Sequence, residues 1–111
     1  MVIKTVSAKE IEDKYDNSSV NIFDVRKLSE YQSEHIINST NIPLNDIYNF
    51  VSDFNVEGEN YIHCAGGYRS MIANSILKSN GVHNLIDIRG GFASIKKTNI
   101  STTEYICPST L

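Results

Sequence analysis

The stretch that decides the fold is Tyr61-Ile62-His63-Cys64-Ala65-Gly66-Gly67-Tyr68-Arg69-Ser70. It passes from a strand pattern to a helix pattern through a cysteine and two adjacent glycines. Because glycine has no Cβ, successive backbone N–H groups can turn inward here, and a nest of such groups at a helix N-terminus attracts anions. We therefore place the chemistry of this chain in the loop that begins at Cys64.

Cys64 is the candidate nucleophile. The helix dipole, the N–H donors of the loop and the guanidinium of Arg69 would each favour its thiolate over its thiol. The alternative is a buried, inert cysteine before an ordinary strand-to-helix turn, which is the commoner fate of a lone cysteine. The glycine pair and Arg69 weigh against that alternative.

The length of the loop restricts the kinds of group that it could hold on Cys64. Four residues separate Cys64 from Arg69, one fewer than cysteine phosphatases use to encircle a phosphate. A cradle of this size suits a single sulfur atom carried on the cysteine as a persulfide anion. His-Cys-Ala-Gly-Gly-Tyr-Arg-Ser, residues 63–70, resembles the active-site loop of the rhodanese sulfurtransferases.

Other stretches resemble the same family over about residues 5–97. They are Asp24-Val25-Arg26, Glu30-Tyr31, His35-Ile36, Asn41-Ile42-Pro43-Leu44 and Gly90-Gly91-Phe92. The chain departs from the family at Glu34 and Asn38, where rhodaneses usually have glycine, so we expect a different backbone in the turn around His35. It also has Ile95 near the position of a common tryptophan, and it contains no tryptophan.

The resemblance implies a two-step displacement. Cys64 would attack the outer sulfur of thiosulfate or of a persulfide donor, become a persulfide, and pass that sulfur to a thiol or to cyanide. The N–H groups contributed by the loop would hold the sulfur, and Arg69 would add a fixed cation for an anionic donor. The residues assigned to this binding loop are Ala65, Gly66, Gly67 and Tyr68.

For three further side chains, a functional role has less support. Arg26 is a candidate for donor binding, with a surface ion pair to Asp24 as the alternative. Strand alternation should point His63 away from Cys64, so we do not assign it as the base. His35 is interpreted as a structural residue at a helix end. We expect neither a metal nor a cofactor, and the partners implied are a small-molecule sulfur donor, a thiol acceptor and, as a further candidate, a protein sulfur acceptor.

Three other functions stay open. A cysteine phosphatase or arsenate reductase ranks low because of the loop spacing. A rhodanese-like module that only binds a partner is an alternative, although inactive members typically lack the cysteine that this chain has. The chain is also a candidate for one domain of a larger sulfur-handling protein.

Composition indicates one globular domain, residues 1–111, with residues 99–111 as a C-terminal tail. Hydrophobic residues make up 41% and charged residues 21%, and the net charge of -3 argues against nucleic acid as the main partner. No apolar run is long enough to span a bilayer and no signal peptide is evident, so we expect a cytoplasmic protein. Cys64 and Cys107 are too few for a disulfide framework. Cys107 lies in a polar tail, which we expect to be poorly ordered, and the alternative is a resolving cysteine placed over the loop.

The predicted fold class is α/β, with a small central parallel sheet of about five strands flanked by helices on both faces. Apolar spacing predicts one helical core face at Leu44, Ile47, Tyr48, Val51 and Phe54, and another at Met71, Ile72, Ile76 and Leu77. Strands are predicted at residues 2–6, 20–25, 61–63 and 85–88, helices at 7–15, 29–35, 44–54, 70–79 and 92–97, a turn at 16–19 and a polar loop at 55–60.

Overall fold

The computed structural model describes residues 3–15, 20–54 and 57–107. The predicted turn at residues 16–19, and residues 55–56 of the predicted polar loop, lie outside the described residues. So do residues 1–2, of which residue 2 begins the predicted first strand, and the end of the tail, residues 108–111.

The described residues form one five-stranded sheet in which all pairs are parallel. The spatial order is β1-β5-β4-β2-β3, so β4, which leads into Cys64, occupies the centre. A central parallel strand is buried on both faces, as the burial of residues 60–63 shows. The strands are β1 Thr5–Val6, β2 Val20–Asp24, β3 Thr40–Asn41, β4 Glu59–His63 and β5 Leu85–Ile88.

Helices cover both faces of this sheet, as predicted. They are α1 Ala8–Tyr15, α2 Leu28–Ser33, α3 Tyr68–Ser79 and α4 Gly91–Ile95, with two 3₁₀ helices, Leu44–Asn49 and Val51–Phe54. Within the described residues, none of these helices is long and apolar enough to cross a membrane.

Two hydrophobic clusters follow from strand alternation. The α3-side cluster contains Phe23, Ile62 and Leu77, and the Phe23 and Phe54 rings lie 4.7 Å apart between centroids. The α4-side cluster, on the opposite face, contains Ile11, Ile22, Tyr61, Ile88 and Ile95. Cys64 belongs to the α3-side cluster, so its side chain lies beneath the helix that the loop introduces.

The segment from Leu44 to Phe54 corrects one prediction. It forms two 3₁₀ helices, and while Ile47 and Phe54 are buried, Tyr48 is 68% exposed. A 3₁₀ helix has three residues per turn, so the residue that shares a face with Leu44 is Ile47 and not Tyr48. Tyr48 is therefore not a core residue.

Helix α3 corrects a second prediction. Met71 and Ile72 are 38% and 40% exposed, and the buried face consists of Ser70, Ala73, Asn74 and Leu77. These positions have the spacing of a helical stripe, but one that includes two polar residues. A prediction from apolar residues alone therefore assigns the wrong face of α3 to the core.

The C-terminal tail is docked along the segment that follows α2. Ile36 and Thr102 form an antiparallel bridge, Thr103 N donates to His35 O at 2.8 Å, and Ile106 N donates to Ser33 O at 2.7 Å. Ile100 is buried in the α4-side cluster. The expectation of a poorly ordered tail is therefore wrong for residues 100–106.

The turn around His35 shows how the two departures from the family pattern are accommodated. Glu34 is extended, with φ of -169°, which any residue adopts. Asn38 has φ of 72°, in the left-handed region that asparagine tolerates better than most side chains. The backbone at Asn38 therefore keeps the conformation that glycine favours.

Candidate functional site

The loop between β4 and α3 consists of Cys64 to Gly67. Gly67 is the N-cap of α3 with φ of 104°, and its N–H donates to the Cys64 sulfur at 3.1 Å. A Cβ on Gly67 would be strained by this φ and would approach Gly90 N at 3.4 Å. A Cβ on Gly66 would meet nothing within 4 Å. The loop geometry therefore requires glycine at Gly67, whereas the surroundings of Gly66 leave room for a side chain.

Cys64 lies at the base of this loop with only 1% of its surface exposed. Its thiol lies 3.6 Å from the Oγ atom of the fully buried Ser70, to which it can donate. Gly66 is exposed at the rim, and Tyr68 beside it is 81% exposed. The Cys64 sulfur therefore lies buried beneath an exposed rim.

The start of α4 holds the loop backbone in place from below. Phe92 N donates to Cys64 O at 2.7 Å, and Ala93 N donates to Ala65 O at 3.1 Å. A Cβ on Gly91 would lie 2.4 Å from Cys64 O and 2.7 Å from Ala65 O. These two bonds tie the loop carbonyls down toward α4, and the N–H that donates to the sulfur is that of Gly67.

Arg69 is held by a carboxylate from another helix. Its Nη1 and Nη2 donate to Glu30 Oε1 and Oε2 at 2.7 and 3.0 Å, and Glu30 also accepts the Lys27 N–H at 3.0 Å. These bonds from Arg69 hold the pKa of Glu30 below its ordinary value. The pKa of Arg69 is raised, chiefly by Glu30 and to a smaller extent by the negative charge that Cys64 can carry. Arg69 therefore lies within electrostatic reach of the sulfur.

Arg26 and Asp24 form a buried ion pair and not a surface one. Arg26 Nη2 lies 2.7 Å from Asp24 Oδ2, with 7% and 0% of the two side chains exposed. Arg26 also donates to Glu34 O at 2.7 Å, and its guanidinium carbon lies 4.2 Å from the Phe92 ring centroid. The structure thus shows Arg26 tying β2 to α2 and α4, and its role in donor binding stays a prediction.

His63 points to the face opposite Cys64, as predicted. Its ring stacks near Phe92 with 6.0 Å between centroids, and its Nδ1 lies 3.1 Å from Cys64 O. Burial lowers the pKa of His63, against the opposing effect of Asp24, whose Oδ2 lies 3.7 Å from Nε2. Among the described residues, His63 Nε2 has no hydrogen-bond partner.

Comparison with known proteins agrees with this geometry. Residues 7–98 match the family described as Rhodanese-like domain. The chain belongs to the rhodanese-like family. The structure of a rhodanese-like domain protein from Staphylococcus aureus superposes with a TM-score of 0.77 at 30% identity, covering 89% of this chain and 99% of that one.

Two curated relatives are longer proteins. YrkF of Bacillus subtilis (strain 168), named as a candidate sulfur carrier protein, is 33% identical over 90 residues, which cover 80% of this chain and 49% of YrkF. The adenylyltransferase and sulfurtransferase uba4 of Ogataea parapolymorpha is 38% identical over 71 residues, covering 63% of this chain and 18% of that protein. This rhodanese-like chain thus spans about half or less of these two relatives. Their names support sulfur transfer at the level of the family.

The rhodanese-like loop gathers most of the predicted site residues. Cys64, Ala65, Gly66, Gly67 and Tyr68 form the loop and its junction with α3, and Arg69 follows in the first turn of that helix. Sequence reasoning missed the contribution of Glu30, although Glu30-Tyr31 was noted as part of the family resemblance. It likewise noted Gly90-Gly91-Phe92 without predicting that this segment anchors the loop carbonyls.

Proposed function

We propose that this rhodanese-like domain is a sulfurtransferase that carries sulfur as a persulfide on Cys64. The donor is thiosulfate or a persulfide, and the acceptor is a thiol or cyanide. The observation that carries this proposal is the Cys64 sulfur itself, buried at the base of the loop with the Gly67 N–H directed at it from 3.1 Å. An N–H donor at this position stabilises negative charge on sulfur.

The reaction divides into two displacements. In the first, the Cys64 thiolate attacks the outer sulfur of the donor, and the electron pair of the broken S–S bond leaves on sulfite or on a thiolate. In the second, an acceptor thiolate or cyanide attacks the outer sulfur of the persulfide, and the electron pair returns to Cys64. Each half balances without a metal or redox cofactor, and the kinetics should be ping-pong.

The loop residues stabilise the persulfide and select its donor. Inward N–H groups of the loop, with Gly67 as the donor seen on the sulfur, would hold the charge of the persulfide anion. Arg69 would attract an anionic donor such as thiosulfate, with its charge shared between the donor and Glu30. Arg26, buried beside Asp24, would support donor binding from behind the loop.

The acceptor is a thiol of a small molecule or of a protein. The longer relatives, one named as a candidate sulfur carrier and one as a sulfurtransferase, support a place for this domain within a larger sulfur-handling protein. Such a role needs a reducing compartment that keeps Cys64 free, which agrees with the cytoplasmic location expected from the sequence.

Intact mass measurement tests this function. After incubation with thiosulfate, and separately with glutathione persulfide, the protein should gain one sulfur atom, and a thiol or cyanide should remove it. Cys64→Ser should abolish the gain, whereas the matched variant Cys107→Ser, which alters an exposed tail cysteine, should keep it. Sulfur transfer by Cys64→Ser at the wild-type rate would show that the nucleophile is misassigned.

A further inference from the structure

Asp87 is a buried carboxylate on the same face of the sheet as Cys64. Asp87 pairs with Ile62 in the register of β5 against β4, and register partners in a sheet share a face. Alternation puts Cys64, two residues after Ile62, on that face too, and Ile62, Cys64 and Leu85 indeed share the α3-side cluster. Asp87 is thus placed under α3 beside the base of the loop.

Asp87 is poorly compensated for a buried acid. It is 2% exposed, and its Oδ1 has no hydrogen-bond partner among the residues that the structure describes. Burial raises the pKa of Asp87, and a hydrogen bond from Ser70 lowers it by a smaller amount. A carboxylate in this state has a stronger tendency to take up a proton than an exposed one.

Ser70 lies between Asp87 and the nucleophile. Its fully buried Oγ is 3.6 Å from the Cys64 sulfur, and its own proton can go to the Asp87 carboxylate or to Gly67 O, 3.4 Å away. The hydroxyl can therefore accept a proton from the thiol while donating its own to the carboxylate. No sequence pattern singled out Asp87, because its position depends on the register of β5.

We propose that Asp87 holds the proton that Cys64 gives up, and that Ser70 passes this proton between them. This proposal rests on the sulfur-transfer function proposed above. When the thiol ionises, the S–H bond breaks, its proton bonds to Ser70 Oγ, and the Ser70 proton bonds to Asp87. The electron pair left on sulfur then attacks the donor. After the persulfide sulfur has been removed by the acceptor thiolate, the same proton returns through Ser70 to Cys64. Asp87 is thus a positioning residue that acts through Ser70.

Few charged groups compete for this role. On the Cys64 side, Arg69 from α3 is paired with Glu30 from α2. His63 on β4 lies on the opposite face with Asp24 and Arg26. On the Asp87 side, exposed Lys4 lies just before β1 and its carbonyl accepts the Asp87 N–H, while exposed Arg89 lies just after β5 and is paired with Glu10. Helix α3 also carries Lys78 in its last turn. Arg69 favours the thiolate, whereas the Asp87 carboxylate is the group placed to accept the proton.

The rate of Cys64 alkylation by iodoacetamide as a function of pH tests the proposal, in a Cys107→Ser background. While the two groups share one proton, part of the protein is thiolate with a protonated Asp87, so alkylation of the wild type should rise with pH in two steps separated by a plateau. Asp87→Asn keeps the shape of the side chain but cannot hold the proton, so it should give a single step whose midpoint lies below the upper step of the wild type. Ser70→Ala removes the hydroxyl that joins the two groups, so the thiolate loses this hydrogen bond and the lower step should disappear, and the double variant should likewise show a single step. Asp53→Asn, which alters an exposed carboxylate, should leave the profile unchanged.

The proposal and its alternative, in which Asp87 is only a buried charge, predict different pH profiles. If Asp87 were only a buried negative charge, the wild type would show a single step at higher pH than Asp87→Asn, with no thiolate below that step, and this result would overturn the proposal, as would identical profiles. If Asp87→Asn fails to fold, Ser70→Ala alone decides the outcome. Alkylation needs no sulfur donor, so absence of persulfide formation would refute the proposed function without altering this result.

Discussion

Arg69 and Glu30 are joined by two parallel hydrogen bonds, of 2.7 and 3.0 Å, between the first turn of α3 and the first turn of α2. The pair fastens the far end of the Cys64 loop to a helix from a distant part of the chain. Both side chains are about one-third exposed, at 30% and 34%, so the bidentate geometry matters more than its charge. The guanidinium is thereby fixed in orientation beside the loop.

Arg69→Lys should therefore lower the turnover of sulfur transfer while the protein stays folded. An ammonium cannot form the two parallel bonds to Glu30, and it presents a point charge where the guanidinium presents a planar fork. We expect a loss of about tenfold in kcat/KM with thiosulfate, measured by steady-state kinetics. The loss should be smaller with an uncharged organic trisulfide as donor.

Glu30→Gln is the matched variant, because it leaves Arg69 in place but weakens its anchor. It should lower turnover to the same extent with charged and uncharged donors. If Arg69→Lys also lost activity equally with both donors, Arg69 would support the loop without binding the donor.

Gly91→Ala should damage the active-site loop from beneath. The added Cβ would lie 2.4 Å from Cys64 O, and Gly91 has a φ of 57° that disfavours alanine. We expect the free energy of unfolding to fall by about 1–3 kcal/mol, and persulfide formation to be lost because the Cys64 and Ala65 carbonyls must move. Urea unfolding and intact mass after thiosulfate treatment measure the two effects.

Gly66→Ala provides the contrast within the same loop. A Cβ there meets nothing within 4 Å and the φ of Gly66 is not left-handed, so stability should change by less than about 0.5 kcal/mol. Persulfide should still form at the wild-type rate. Equal damage from Gly66→Ala and Gly91→Ala would mean that α4 does not have the anchoring role described for it.

The parts of the fold that follow from local pattern could be predicted. Strands β2 and β5 appear in the sequence as short, mostly apolar runs with β-branched residues, and β4 appears as Tyr61-Ile62-His63 before the loop. Ser7 caps the start of α1, with Glu10 N donating to Ser7 Oγ at 3.2 Å. The Cys64 loop was predictable because its chemistry is contiguous in the sequence. Belonging to the rhodanese-like family and having a parallel α/β sheet are both confirmed.

The wrong predictions for α3 and for the tail have a common physical cause. In both, contacts between residues far apart in the sequence determine the structure. Met71 and Ile72 are exposed because α3 turns Ser70 and Asn74 toward the sheet, and no apolar pattern indicates that rotation. The tail is ordered because Thr103 and Ile106 find backbone partners near His35 and Ser33, far away in sequence. Such long-range hydrogen bonds leave no periodic signal in the sequence.

His63 should make stability depend on pH. Burial lowers its pKa in the folded protein, while the unfolded chain has an ordinary histidine with a pKa of about 6.5. Below that pH the unfolded state binds a proton that the folded state resists, so stability is lost as pH falls below about 6.5 and is unaffected above it. The loss can reach about 1.4 kcal/mol per pH unit until the folded state is protonated as well.

The free energy of unfolding in urea, measured at about pH 7.5 and about pH 5.5, checks this prediction. His63→Gln cannot titrate, so it should be less stable than the wild type at the higher pH, and the gap should narrow at the lower pH. His83→Gln removes an exposed histidine and should keep the wild-type pH dependence. A gap between wild type and His63→Gln that stays constant with pH would show that His63 does not resist protonation in the folded protein, and the unpartnered Nε2 beside Asp24 would then need another explanation.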